Sequence, residues 1–451
     1  MPENRATTGG RKIKLGVAEI HSANANPAAD PIVYLNGGPG SSAIVVANGI
    51  IKAGLNQNRT VILVDQRGEY HSDPRLTCPE SDAVQALQAT MSVLASSTEA
   101  LEVKTVQTCR NRLAAEGYDL SAYNTPENAA DIADLRAAMG IKHWDVYGVS
   151  YGSDLALQLL RLFPEGIRSV VLDSVLPPQI NFVNHAWKAA AEGFNALFQA
   201  CAAQAACSQA YPSLSSDLET AVHNLAAHPA SVQVPLPDGT SQHLVIDGYT
   251  LANVVVVASL SSSFVGLPAM IHDAAQGNVL PTAKNLLTQI AGTPAGLVAY
   301  GISYGVFCGE VVPHTNQARE LATAQAALPN FPTSVLELIP QAARLLPDCK
   351  VWNVRPADPS TAVATKSSVP TLLLNGELDG VTPPSSAKLA AQTLSQSTVV
   401  LLPGIGHDTI LASPCAIIVL NNFLSKPRDP VDTSCVKSMT VPDLTAPTSA
   451  G

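Results

Sequence analysis

The chain has 451 residues, of which 46% are hydrophobic and 14% are charged, and its formal net charge at pH 7 is -10. This composition excludes a disordered chain, and an acidic balance without a run of Lys or Arg argues against a nucleic-acid partner. No apolar run reaches membrane-spanning length, so no membrane partner is expected either. The length allows two or three domains, or one core with a large insertion.

The first part of the sequence alternates short apolar runs with helical patterns. Residues 11–20 alternate between polar and apolar as an early strand does, and residues 128–139 have the periodicity of a helix. Further buried strands, rich in Val, Ile and Leu, are predicted at 31–35, 60–64, 143–149 and 169–173. Strands of this kind that alternate with helices indicate a mostly parallel sheet covered by helices on both faces.

The pattern changes at about residue 177, where the sequence becomes rich in Ala and mostly helical. A strand-like interlude occurs at 231–235 and 243–246, and the sheet pattern returns at 369–376 and 398–402. We therefore expect a core with a large helical cap inserted before its last strands. The predicted division is core 11–178, cap 179–365, core 366–438 and a flexible tail 439–451.

The segment 148–152 has the pattern G-x-S-x-G between a predicted strand and a predicted helix. This is the context of a nucleophile elbow, a strained turn that presents a serine and requires small neighbours. The N-terminus of the following helix favours the negative charge that develops during acyl transfer. The sequence therefore predicts Ser150 as a nucleophile and the amide of Tyr151 as one oxyanion donor.

A serine nucleophile needs a base and an acid that orients the base. Of the ten histidines, His407 alone follows the final predicted strand, and it is the predicted base. Asp379 follows the preceding strand in a turn that continues into Thr-Pro, and it is the predicted acid. Glu377, two residues earlier, and Asp173, at the end of the strand after the elbow helix, are the alternatives.

The second oxyanion donor is expected in the glycine-rich segment 36–40, which follows an early strand. Glycines let backbone N–H groups approach a substrate closely, and Pro39 stiffens the turn. We predict the amide of Gly38 as this donor, or else that of its neighbour Gly37, which we also expect to contact the substrate.

In their joint order, the segments 34–40, 65–68, 148–152 and 375–379 resemble the proline iminopeptidase and tripeptidyl aminopeptidase branch of the α/β-hydrolases. The similarity extends from about residue 11 to 436 and includes 72–78, 307–310 and the 415–435 end. The resemblance implies an α/β-hydrolase fold and a secreted-type serine hydrolase without cofactor. It also implies that the cap shapes the pocket for a small-molecule or short-peptide substrate.

The resemblance implies a role for Glu310, because aminopeptidases of this branch hold the substrate's free α-amino group with cap carboxylates. The alternative is that Glu310 is a structural residue bonded to nearby amides beside Cys308. Val311 and Val312 follow Glu310, where the family often has a second acid. An ammonium group needs a negative partner, whereas an apolar ester needs only an apolar slot and the triad. We therefore expect cleavage of a carboxylic ester or lactone of a small, mostly apolar substrate through an acyl-enzyme. The alternatives are a tripeptidyl- or prolyl-type aminopeptidase and an inactive binding protein of the same fold.

The eight cysteines form no C-x-x-C pair and lie near no His at zinc-finger spacing, so no metal site is expected. Their order suggests four nearest-neighbour disulfides: Cys78–Cys109, Cys201–Cys207, Cys308–Cys349 and Cys415–Cys435. Such pairing indicates an oxidising, extracytoplasmic compartment, although the N-terminal residues lack the pattern of a secretion signal.

Overall fold

A computed structural model describes residues 1–292 and 295–445 of the chain. Its strands are, in chain order, β1 Gly16–Ile20, β2 Ile32–Leu35, β3 Val61–Asp65, β4 Trp144–Val149, β5 Ile167–Asp173, β6 Ala230–Pro235, β7 Ser241–Ile246, β8 Thr371–Gly376 and β9 Ser397–Leu402. Seven of them form one sheet in the order β1-β3-β2-β4-β5-β8-β9. β1 pairs antiparallel to β3, and the other neighbouring strands pair parallel, as the sequence predicted.

The helices of the first core segment are α1 Ala47–Ala53, α2 Pro79–Gln88, α3 Ser96–Ala115, α4 Thr125–Ala138 and α5 Tyr151–Leu162. Between β5 and β8 lie α6 Phe182–Ala202, α7 Ala205–Ala210, α8 Leu214–Ala227, α9 Gly248–Ala258, α10 Leu267–Ala275, α11 Leu280–Ala291, α12 Tyr300–Val306, α13 Gln317–Ala327, α14 Thr333–Leu336 and α15 Leu345–Trp352. The chain then adds α16 Pro384–Ala391, α17 Thr409–Ala412 and α18 Pro414–Ser425.

Helices cover both faces of the sheet because successive strand residues point to opposite faces. In β2, Ile32 and Tyr34 pack in one buried cluster, which includes side chains of α1, α17 and α18. Val33 and Leu35 pack in the other cluster, with side chains of α4, α5 and α16. The near-continuous apolar strands of the sequence thus reflect a sheet that is buried on both sides.

The residues between β5 and β8, which we call the insert, have a hydrophobic core of their own. Trp187, Phe194 and Leu251 belong to this buried cluster, together with apolar side chains from α8, α10 and α14. The hairpin β6–β7 lies where the sequence suggested a strand-like interlude. The insert therefore has the mostly helical character that its Ala-rich composition indicated.

Four disulfides link the eight cysteines, and all four predicted pairings are confirmed. Cys78–Cys109 joins the start of α2 to α3, and Cys201–Cys207 closes a short loop at the end of α6. Cys308–Cys349 connects the turn after α12 to α15, and Cys415–Cys435 holds α18 to the chain that follows it. Paired cysteines of this number suggest an oxidising, extracytoplasmic environment.

The last described residues pack against the insert, whereas the sequence suggested a flexible tail from residue 439. Leu444 is fully buried in the core of the insert. Its amide donates to Gln204 Oε1 at 3.0 Å, and Gln204 Nε2 donates to the carbonyl of Pro442 at 2.8 Å. Residues 446–451 of the expected tail lie outside the described part. Over residues 1–292 and 295–445, each helix is too short or too polar to cross a lipid bilayer.

Candidate active site

Ser150 stands at the turn between β4 and α5, where the sequence placed it. Its backbone has φ 56° and ψ -127°, a conformation that side-chain-bearing residues rarely adopt. Gly148 and Gly152 have to be glycines, since a Cβ at either position would collide with backbone. In a turn of this kind between a strand and a helix, the serine side chain is presented at the carboxyl end of the sheet.

His407 and Asp379 come together on the loops that follow β9 and β8. His407 Nδ1 lies 2.8 Å from Asp379 Oδ2, and a carboxylate can only accept, so Nδ1 carries the proton. Asp379 is fully buried and also accepts from the amides of Val381 and Thr382, at 2.8 and 3.0 Å. The alternative acid Glu377 is exposed, and it forms no hydrogen bond with His407 within the described residues.

Asp173, the other alternative, binds the backbone next to His407 rather than its ring. Its carboxylate accepts from the amides of Thr409 and Ile410, at 3.0 and 3.2 Å, and from the Tyr147 hydroxyl at 2.5 Å. Asp173 therefore anchors the start of α17, two residues beyond His407. Its contacts are those of a structural carboxylate.

Opposing influences act on the pKa of His407. Burial lowers it, whereas the charge and hydrogen bond of Asp379, together with the charges of Asp408 and Asp173, raise it. The sum raises the pKa of His407 above its ordinary value. Burial and the neighbouring Asp173 likewise raise the pKa of Asp408 to about 7.

Ser150 and His407 line the same cavity of about 390 Å³. Because Nδ1 of His407 is engaged with Asp379, Nε2 is the ring nitrogen left for a partner in the cavity. No direct hydrogen bond joins Ser150 Oγ to His407 within the described residues, and such contacts commonly tighten only when a substrate is bound. The remaining walls are largely apolar and include Leu176, Leu260 and Val381, with Phe182 and Phe307.

The glycine-rich segment after β2 borders the same cavity, and Gly37, Gly38 and Tyr151 all line it. A Cβ at Gly37 would lie only 2.7 Å from Ser150 Cβ, so the backbone approaches the serine as closely as a glycine allows. Gly38 has φ 112°, which favours glycine. Tyr151 is the first residue of α5, and the first amides of a helix have no partner inside the helix.

A hydrogen-bond network around Asp65 holds the residues that directly follow the glycine-rich segment 36–40, and the sequence analysis did not predict it. Asp65, at the end of β3, accepts from Ser42 Oγ at 2.8 Å, from the amide of Ile44 at 3.1 Å and from the amide of His71 at 2.9 Å. His71 Nδ1 lies 2.7 Å from the same carboxylate. Asp65 belongs to the segment 65–68, which was one of the motifs that indicated the family resemblance, but no role was predicted for it.

Glu310 lies in a π-helical turn, Phe307–Val311, beside the disulfide of Cys308. Its carboxylate accepts from the amide of Thr125, at the start of α4, at 2.6 Å. Glu310 lines a small cavity of about 110 Å³ that shares Tyr151 and other walls with the Ser150 cavity. Burial raises the pKa of Glu310 to about 7.

Asp154 lines the same small cavity, and sequence reasoning missed it. It lies on α5, one turn after Ser150, and Gln158 Nε2 donates to it at 3.2 Å. Burial, and then the charge of Glu310, raise the pKa of Asp154 well above its ordinary value, while the charge of Arg161 opposes this. In the described part of the chain, neither Asp154 nor Glu310 forms an ion pair with a basic side chain. Asp154 could have been noticed because it is a carboxylate on α5, a helix whose side chains are buried on nearly every face.

Within the described part of the chain, three side chains lie close enough together to hold a metal ion, namely those of Cys78, Glu80 and Cys109. Both sulfurs are joined in a disulfide, however, so neither is available as the thiolate that a metal requires.

The model of the alpha/beta hydrolase fold family matches residues 30–414, so the chain belongs to this family. A tripeptidyl aminopeptidase of Streptomyces coelicolor is 28% identical over 193 residues, which are 40% of this chain and 34% of that protein. A proline iminopeptidase of Neisseria gonorrhoeae is 26% identical over 179 residues, or 38% of this chain and 43% of that protein. The predicted resemblance to this branch is thereby confirmed, and the matches span less than half of the length of these two relatives.

The putative hydrolase YuaR of Escherichia coli matches over a longer range, with 24% identity over 423 residues, 91% of this chain and 80% of that protein. Among solved structures, a proline iminopeptidase of Mycobacterium smegmatis has a TM-score of 0.41 at 17% identity and covers 92% of this chain and 96% of its own. An esterase of Thermogutta terrifontis has a TM-score of 0.40 at 13% sequence identity, and the match covers 94% of this chain and 97% of the esterase chain. Scores this low carry no argument about substrate.

Proposed function

We propose that the protein is a serine hydrolase in which Ser150 is the nucleophile, His407 the general base and Asp379 the orienting acid. The observation that carries this proposal is the hydrogen bond between His407 and Asp379, with His407 lining the same cavity as a serine in a strained elbow. The raised pKa of His407 suits a base that must take up the serine proton.

In the proposed reaction, Ser150 Oγ attacks a substrate carbonyl while His407 Nε2 takes its proton. The amides of Gly38 and Tyr151 donate to the oxyanion of the tetrahedral intermediate, and preorganised donors of this kind stabilise it strongly. His407 then gives the proton to the leaving group, and an acyl-enzyme remains on Ser150. A water molecule, activated by the same histidine, releases the acyl group and restores the serine.

We infer that the acyl part of the substrate carries a free amine, as in a short peptide cleaved by a tripeptidyl- or prolyl-type aminopeptidase. Two buried carboxylates without a cationic partner are unfavourable, and an ammonium group between them would satisfy both. The expectation of an ester rested on the missing second acid after Glu310. Asp154 supports the peptide alternative, because α5 supplies a second carboxylate to the same small cavity.

Hydrolysis of a carboxylic ester or lactone is the second candidate. The observation in its favour is the apolar lining of the Ser150 cavity, with Leu176, Phe182 and Phe307 among its walls. A small apolar substrate would fit this lining without using the carboxylates. The acyl-serine chemistry is the same in both cases.

The test compares alanine p-nitroanilide, its N-acetyl derivative and p-nitrophenyl butyrate, with Ser150→Ala as the background. We expect the free amine to be preferred over the acetylated form, and Glu310→Gln or Asp154→Asn to lower kcat/KM for the free amine roughly 10- to 100-fold, the scale of a hydrogen bond to a charged group. Glu320→Gln is the matched control, since Glu320 is buried in α13 and lines no cavity described above.

Faster turnover of the butyrate, with no amine-dependent loss in either carboxylate variant, would favour the ester candidate. If none of the three substrates reacts faster with the wild type than with Ser150→Ala, the result would contradict both hydrolase candidates for these substrates and favour the inactive binding protein of this fold.

A further inference from the structure

A second cavity, of about 350 Å³, adjoins the one that contains Ser150. The two share the walls Leu176, Phe182 and Val381. The second cavity lies between the insert and the core, because its residues come mainly from α6 in the insert and from α16 in the core. We call it the α6–α16 cavity.

The α6–α16 cavity borders the loop that follows Asp379, the hydrogen-bond partner of His407, and it shares Leu176, Ile180 and Phe182 with the small cavity of Glu310. Its walls Val381 and Pro383 belong to the loop that follows Asp379, and the amide of Val381 donates to that carboxylate. In acyl-serine hydrolysis the histidine gives its proton to the leaving group, so we infer that the leaving group lies towards the Asp379–His407 pair and this loop. A leaving group longer than the cavity of Ser150 would therefore extend past Val381.

The α6–α16 cavity carries basic groups without acidic partners. Lys188 on α6 and Lys388 on α16 both line it, and neither is ion-paired anywhere in residues 1–292 and 295–445. His185 also lines it, with Nδ1 donating to the carbonyl of Asn181 at 3.1 Å. The acid in this cavity, Glu192, accepts from the amide of Ser385 at 3.1 Å. Apolar side chains, including Ile180 and Leu389, form the floor.

We propose that the α6–α16 cavity is a leaving-group subsite that selects leaving groups ending in a carboxylate, such as an amino acid or a short peptide with a free C-terminus. The two lysine ammonium groups donate to the carboxylate, and the apolar floor packs against the body of the leaving group. The inference rests on the proposed acyl-serine chemistry but not on a free amine in the acyl part. Both lysines are exposed, so the selectivity they give is modest and sensitive to salt.

The test uses two butyrate esters with the same acyl group, one of 4-hydroxybenzoic acid and one of 4-hydroxybenzamide. The quantity compared is the ratio of kcat/KM for the acid to kcat/KM for the amide. We expect the Lys188→Gln/Lys388→Gln double variant to lower this ratio on the order of 2- to 30-fold, the scale of two solvent-exposed ion pairs. High salt should reduce the wild-type ratio in the same direction.

The matched control is Lys104→Gln/Lys284→Gln, which removes two exposed helical lysines that line none of these cavities. This control should keep the wild-type ratio. An equal ratio in the wild type and in Lys188→Gln/Lys388→Gln would overturn the proposal, as would an equal loss for both esters.

A binding measurement separates this proposal from the proposed function. Titration of the Ser150→Ala protein with 4-hydroxybenzoate and 4-hydroxybenzamide, followed by ligand-observed NMR, requires no turnover. The benzoate should bind more tightly than the benzamide, and Lys188→Gln/Lys388→Gln in the Ser150→Ala background should remove the difference. Equal binding of the two ligands would overturn the subsite even if both esters are hydrolysed.

Discussion

His407 lies where burial and neighbouring negative charge act in opposite directions. Desolvation favours the neutral imidazole, and the carboxylate of Asp379 favours the protonated ring. Burial is the largest single influence, but the charge and hydrogen bond of Asp379 and the charges of Asp408 and Asp173 together outweigh it. The neutral base therefore forms only at a higher pH than in an ordinary histidine. The rate should therefore rise with pH through this raised pKa, because only the neutral ring accepts the serine proton.

Asp379→Asn tests this balance at a single position. The change removes the negative charge, so we expect the midpoint of the pH–rate profile to move to lower pH. It also removes the group that fixes the protonated Nδ1, so kcat should fall about 10⁴-fold. The measurement is kcat/KM from pH 5 to 9 for wild type and variant, with circular dichroism as the check on folding.

Asp173→Asn is the matched variant, since it alters a buried carboxylate that contacts backbone amides beside His407. Its effect should appear mainly as a lower unfolding temperature, with a smaller loss of kcat than in Asp379→Asn. If Asp173→Asn reduced kcat more than Asp379→Asn, the orienting acid would have to be assigned to β5.

At the scale of single elements, the π-helical turn of Glu310 has little freedom to move. Cys308 nearby forms a disulfide with Cys349, and the Glu310 carboxylate accepts a hydrogen bond from the first amide of α4. Glu310 is therefore held in place before any substrate arrives, and its ionisation rather than its position decides how strongly it attracts an ammonium group.

We expect the KM for free-amine substrates to have a minimum between about pH 7 and 8. Below about 7 Glu310 becomes neutral, and above roughly 8 the substrate amine loses its proton. Measuring KM for alanine p-nitroanilide from pH 5.5 to 9 checks this window. Glu310→Gln should raise KM and remove most of its dependence on pH below about pH 7. Glu320→Gln should leave the pH dependence of KM unchanged. A KM that does not change with pH would contradict the role of Glu310.

The elements that carry Ser150, Asp379 and His407 could be predicted because each is a local pattern, namely a strand followed by a short turn. The disulfides could be predicted because each cysteine pairs with its neighbour in sequence. Asp154 could not be predicted, since its significance depends on Glu310, 156 positions further along the chain. The packed segment at Leu444 was missed for a similar reason, because its contacts are with the insert and its composition alone suggests fraying.

At the scale of the whole molecule, several acids have raised pKa values. Burial is the first cause in each case, and it raises the pKa of Glu310, Glu320 and Asp408 to about 7 and that of Asp348 to about 8. A raised pKa means that the folded chain holds these protons at pH values where the unfolded chain has released them. By linkage, the stability then falls as the pH rises from about 4 towards 8.

We therefore expect a higher unfolding temperature at pH 5.5 than at pH 8.0. Acids with lowered pKa values, such as Asp238 and Asp432, are ionised in both the folded and the unfolded chain above about pH 5, so they do not affect this comparison. Glu320→Gln should reduce the difference between the two pH values, since it removes one of the groups without touching the candidate site. An unfolding temperature that is higher at pH 8.0 than at pH 5.5 would contradict the raised pKa values of these buried acids.

The burial of Leu444 has a consequence for how a substrate reaches Ser150. The chain passes between sheet and insert after β5, before β8, and a third time after α18, where Leu444 fills a place in the core of the insert. A lid that swings open needs a hinge at one edge, and three separated tethers leave no such free edge. Entry should therefore depend on local rotation of cavity side chains such as Phe182 and Phe307. Removing residues 440–451 would free one tether, and amide hydrogen exchange in α10 should then quicken around Gly266, whose amide donates to the carbonyl of Leu444 at 3.2 Å.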